Sequence, residues 1–303
     1  MGDGPADPGQ PACETIIRRF LLIAGLYTLS ASLIWGVNTL FLLDAGLTLF
    51  ETFLANAAFT AGMVAFEVPT GVVADTRGRR ISFLASLIFL VLGTLAYVGL
   101  AWMGQGLWPF VAASIVLGLG FTFYSGAVDA WVVDALQATG YDGSVDQVFA
   151  RSGQVTGAAM LVGTVSGGLL GQLDLAYPFL VRIALLVALF LLARQVMHDI
   201  GFQTRPLALA RVGEEMRTIL KASLQHGWGQ GSVRLLMLLA FLQFGFLAWG
   251  WYAWQPYFLE LLGRDLVWVA GIIAALISLA TIAGNRISQW LAGRARKRTT
   301  VLA

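Results

Sequence analysis

The residues of this chain able to do chemistry are few, and they sit in oily surroundings. Glu67, Asp129, Asp134 and Arg182 each fall within an apolar run, with Asn285 and Arg286 similarly placed further along. An ionisable group in hydrocarbon costs a few kcal/mol or more, so it marks a place where a charge is paired, a proton is taken up or a polar solute is met. Glu67 stands two turns before Asp75, with Gly71 between them, in the run FEVPTGVVADTRGRR from Phe66 to Arg80. It reads either as a protonatable coupling or gating acid or as a packing partner for a basic group near the membrane surface. Asp129 reads as a contact for a solute or a proton or, with Asp134, as an interfacial partner of Arg151; pairing is the stronger reading for Asp134. On a continuous helix Ser125 and Asp129 share a face, as do Tyr124 and Trp131. Trp35 and Asn38 share another, with Asn38 facing a cavity. Arg182 is a further charge in mid-helix. Gln243, Trp251, Tyr252, Trp254 and Gln255 offer an aromatic and amide wall for a flat or amphipathic organic molecule, or, from Trp254 to Phe258, an aromatic belt at the outer interface.

None of this forms a catalytic kit. The chain has only His198 and His226, no HExxH, no nucleophile elbow, no CxxC and no phosphate-binding Walker loop. GWGQGS at 227–232 lacks the last glycine of a dinucleotide pattern. The single cysteine, Cys13, excludes an internal disulfide and a cysteine-built metal site. No enzymatic activity, cofactor or metal is expected.

The elements that position these residues must be membrane helices. Hydrophobic residues make up 58% of the 303 and charged residues 12%, with a mean hydropathy of +0.76; soluble domains carry roughly twice that charged fraction. Charges cluster between apolar runs long enough to cross a bilayer at about 20 residues each. The pattern predicts an all-α membrane protein with helices at 18–43, 50–74, 80–103, 108–134, 150–173, 177–198, 233–261 and 266–291. Residues 1–15 read as a disordered tail, 16–198 as a six-helix half, 199–232 as a linker and 233–303 as a partial second half. Within the linker Val212, Met216, Ile219 and Leu220 recur at helical spacing, predicting an amphipathic helix on the membrane surface.

Basic residues then set the orientation. With the Asp75–Arg80 loop cytoplasmic, only Arg264 of the 19 lysines and arginines falls in an outer loop, only Arg182 and Arg286 fall deep within helices, and the rest lie inside or at the inner interface. That bias predicts an even number of crossings with the amino terminus inside. The basic residues are topology markers, so nucleic acid is not an expected partner; the lipid bilayer is.

Gly71, Asp75, Gly78, Arg79 and Arg80 resemble the signature between the second and third helices of the major facilitator superfamily (MFS) of secondary transporters, with Thr76 where a basic residue is usual and Arg77 one place later. Gly71 would admit a close helix contact and Gly78 a tight reversal, while Arg79 and Arg80 hold the loop inside with Asp75 as charge partner. EVPTG and YSGAVDAWVVDAL resemble a bacterial branch of the same superfamily. GTVSGGLLG at 163–171 resembles its antiporter signature, with Thr164 in place of proline, and equally supplies a helix-packing stripe. A faint internal repeat places Arg80 on Arg298 at a shift of 218 residues, and on it the last four of twelve helices are missing. The resemblance implies an MFS-type bundle in a bacterial inner membrane that moves a small organic solute by alternating access, with drug-type efflux and proton coupling among the forms this takes. Asn38, Glu67, Tyr124, Asp129, Arg182, Gln243 and Trp251 are the expected pathway residues, and Gly71, Asp75, Arg77, Gly78, Arg79 and Arg80 the gating loop. The alternative is a non-transporting membrane scaffold, or a fragment needing a partner for the missing helices.

Overall fold

A computed structural model describes residues 10–202, 213, 217–218, 221, 223–262 and 266–294. The described chain is helical, with α1 Gln10–Ser32, α2 Asn38–Asp44, α3 Leu49–Arg77, α4 Arg79–Trp102, α5 Leu107–Tyr124, α6 Ala127–Ala138, α7 Val145–Leu173, α8 Tyr177–Val196, α9 Gly231–Leu262 and α10 Val267–Arg294. A π-helical turn, Ser223–Trp228, precedes α9. The linker's expected amphipathic positions and the Arg298 repeat lie outside the described residues.

Two expected helices are broken. Helix one starts at Gln10, so residues 10–15 are helix rather than tail, and it ends at Ser32, with α2 resuming at Asn38. Helix four splits between α5 and α6, where Ser125 (φ −53°, ψ 118°) and Gly126 (φ 73°, ψ −19°) take type II turn angles. That turn needs a positive φ at its third residue, which glycine supplies. Apolar periodicity runs through both breaks, which is why spacing alone read them as continuous.

Five segments among the described residues are long and apolar enough to cross a bilayer: Leu49–Arg77, Arg79–Trp102, Leu107–Ala138, Val145–Leu173 and Tyr177–Val196. Helix one, shortened by the break after Ser32, is not among them, while α9 and α10 run 32 and 28 residues, with Gly231–Leu247 and Val267–Ile277 as their apolar stretches among the described residues.

Packing relies on small residues, since apolar helices gain little by burying oil against oil in lipid. α3 and α5 meet at Gly62, where an added Cβ would lie 3.0 Å from the Ile115 carbonyl oxygen, and at Gly118, which sits against the Phe59 carbonyl. α7 lays Gly163 and Gly167 on the Leu29–Leu33 end of α1, and its Gly168 meets Gly271 of α10. The stripe from Gly163 to Gly171 therefore seats the broken helix on one side and α10 on the other. Aromatic rings fill the centre: Phe41 and Phe179 lie 4.2 Å apart by centroid, and Tyr97 packs edge-on to Phe110 at 5.5 Å. Outward faces remain apolar, with Phe241, Phe244 and Phe246 of α9 exposed, as a lipid-facing surface requires.

Candidate functional site

The break in helix one would leave backbone groups without partners in a medium that offers no water. In an unbroken helix the Thr39 N–H would donate to the Trp35 carbonyl. Instead the Gln255 amide of α9 is inserted between them: its Nε2 donates to Trp35 O at 2.7 Å and its Oε1 accepts from Thr39 N–H at 3.1 Å. Gln255 is only 2% exposed. One side chain thus replaces a peptide hydrogen bond and ties α9 to the first helix.

Beside this staple lies a cavity of about 490 Å³, within the range of small-molecule sites. Tyr27, Trp35, Asn38, Asn56, Tyr124, Arg182 and Gln255 are among its lining residues. Tyr27 and Tyr124 stack with centroids 3.6 Å apart. Asn38 Nδ2 donates to Asn56 Oδ1 at 3.0 Å. The Arg182 Nε–H donates to Thr94 Oγ1 at 3.3 Å, and the residue is 7% exposed.

Of the expected pathway residues, Asn38, Tyr124 and Arg182 meet in this cavity. Glu67, Asp129 and Gln243 do not line it and stand exposed, while the Trp251 side chain lies outside the described residues. The type II turn also undoes two expected pairings. Ser125 leaves the helix and donates to Glu67 Oε1 at 3.3 Å rather than sharing a face with Asp129. Tyr124 turns to the cavity, whereas Trp131 is buried and its Nε1–H donates to His198 O at 2.7 Å.

A second cluster forms at the Gly78 end of the bundle. Arg79 bridges Asp75 Oδ1 at 2.6 Å and Asp134 Oδ2 at 3.5 Å, and its guanidinium lies over the Phe202 ring at 5.8 Å. Asp134 therefore pairs with Arg79, not with Arg151, which is exposed. The Arg80 backbone N–H donates to Asp199 Oδ1 at 2.9 Å, capping the start of α4, and its Nη2 donates to the Arg194 carbonyl at 2.6 Å. Gly78 has φ 109° and ψ 151°, and an added Cβ would collide with the Asp199 carboxylate. Arg77 and Gly71 are exposed, and nothing lies within 4 Å of a Cβ added at Gly71. The close helix contact expected at Gly71 is absent among the described residues.

Spacing arguments missed Tyr27, Asn56, Thr94, Asp199 and Phe202. Asp199 and Phe202 lie more than 100 residues from the loop they bind, and no local pattern carries that pairing. Asn56 was findable as an amide in the apolar first half of α3.

A family model described as Major Facilitator Superfamily matches residues 20–303. The uncharacterized MFS-type transporter YxaM of Bacillus subtilis (strain 168) is 26% identical over 184 residues, 58% of this chain and 42% of that protein. The match thus spans about two fifths of the length of that relative.

Proposed function

We propose a transport function for this chain, which belongs to the Major Facilitator Superfamily and is a multi-pass membrane protein. It carries a small organic solute across a bacterial inner membrane by alternating access, amino terminus inside. The observation that carries the reading is the cavity lined by Tyr27, Asn38, Asn56, Tyr124 and Arg182 and flanked by two interrupted helices. Such interruptions give pathway helices places to bend, and membranes tolerate them only where protein or a cavity satisfies the freed backbone.

The Gly78 cluster is the latch in this reading. Asp75, Arg79 and Asp134 join α3, α4 and α6, and Arg80 with Asp199 joins α4 to the end of α8. These contacts hold the cytoplasmic end in one arrangement and must rearrange as the pathway opens there. Glu67, held by Ser125 at the α5–α6 turn, and Asp129, in the first turn of α6, are exposed acids beside a bend. They are the proposed sites where protonation is coupled to movement, and export is the proposed direction.

The test is uptake and counterflow of a chemically diverse solute panel in proteoliposomes, with and without a pH gradient. At least one solute should accumulate with time, and Tyr124→Ala should lower its rate at least tenfold with expression unchanged. No time-dependent movement of any solute refutes the proposal.

A further inference from the structure

Arg182 has more hydrogen-bonding capacity than the protein uses. A guanidinium carries five N–H donors in a fixed fork. Here Nε takes Thr94 Oγ1, and among the described residues neither terminal nitrogen has a hydrogen-bond or ion-pair partner. Yet the residue is buried and lines the cavity. No aspartate or glutamate is found in that lining, and Arg182 is its one charged side chain among the described residues. Asn56 Nδ2, a second donor of the lining, is buried without a hydrogen-bond partner among the described residues. A buried cation without a counter-ion is costly in a membrane, and the free edge of the fork matches an oxyanion held through two parallel hydrogen bonds. Much of the remaining wall is aromatic, with Tyr27, Trp35, Phe59, Tyr97, Phe121 and Tyr124 among aliphatic side chains.

We propose that the solute taken by this cavity is an organic anion, its carboxylate or related oxyanion seated on Arg182 and its apolar body against the aromatic wall. This rests on the transport reading and narrows it to a substrate class. The same chemistry would also accept the headgroup of an anionic lipid, and the test separates the two.

The experiment measures equilibrium binding to the purified 303-residue chain in phosphatidylcholine nanodiscs. Three isosteric pairs of graded size serve as probes: acetate and acetamide, benzoate and benzamide, 2-naphthoate and 2-naphthamide. At least one carboxylate should bind saturably and ten or more times tighter than its amide. Arg182→Lys should keep most of that preference and Arg182→Gln should abolish it. If Arg182→Gln does not fold, the wild-type pairs and Arg182→Lys decide. Amides binding as tightly as carboxylates would overturn the anion assignment and leave a solute cavity standing; no saturable binding of any probe would overturn both. Loss of carboxylate binding when phosphatidylglycerol replaces phosphatidylcholine would assign the site to a lipid headgroup, and the organic-solute assignment would fall.

Discussion

Two glycines of one loop signature have different physical roles. Gly78 occupies a backbone region that is essentially restricted to glycine, and its missing Cβ leaves room for the Asp199 carboxylate that caps α4. Gly71 sits in mid-helix, exposed, with open space where a side chain would go. Gly78→Ala should therefore cost about 1–3 kcal/mol of stability, read as a lower unfolding midpoint of the purified protein. Gly71→Ala should be neutral or stabilising by up to about 1 kcal/mol, because alanine is the better helix former. Gly71→Leu should insert and fold normally. If the exposed face at Gly71 is covered by another helix during the transport cycle, its transport rate falls at least tenfold in the same proteoliposome assay; an unchanged rate removes Gly71 from the mechanism.

Among the helices, the interruptions matter more than the lengths. α1 and α2 are separated by a short turn whose backbone is completed from α9, through Gln255. Gln255→Leu would strand the Trp35 carbonyl and the Thr39 N–H, at roughly 1–3 kcal/mol for a buried unpaired group. Chemical unfolding of the two proteins side by side reads this directly, and equal stability would mean that the turn holds itself open unaided. Helix existence and the Gly78 reversal were legible in the sequence because apolar run length and glycine placement are local signals. The two breaks were not, since Trp35-Gly36 and Ser125-Gly126 interrupt the hydrogen-bond ladder without interrupting the apolar pattern. Of the site, Asn38, Tyr124 and Arg182 were legible as polar residues within apolar helices, whereas Asp199 and Asn56 acquire their roles only through contacts distant in sequence.

Taken whole, the described helices pack as a bundle around a donor-rich, aromatic-walled cavity, with the charged cluster proposed as a latch at one end, built from α3, α4, α6 and the segment after α8. The latch and the cavity share elements: α4 carries Arg79 and Arg80 at its start and Thr94 further along, and α5 ends at Tyr124 beside the turn that Glu67 touches. A rigid movement of α4 or α6 that breaks the Arg79 pairs would therefore be felt at Arg182 and Tyr124. The most direct test is the accessibility of the cavity from the two sides of the membrane. Asn38→Cys in a Cys13→Ser background, oriented in proteoliposomes, is treated with a membrane-impermeant thiol reagent added either outside or trapped inside. Alternating access predicts modification from each side, at rates shifted in opposite directions by a transported solute. Modification from one side only, whatever solute is present, would contradict it.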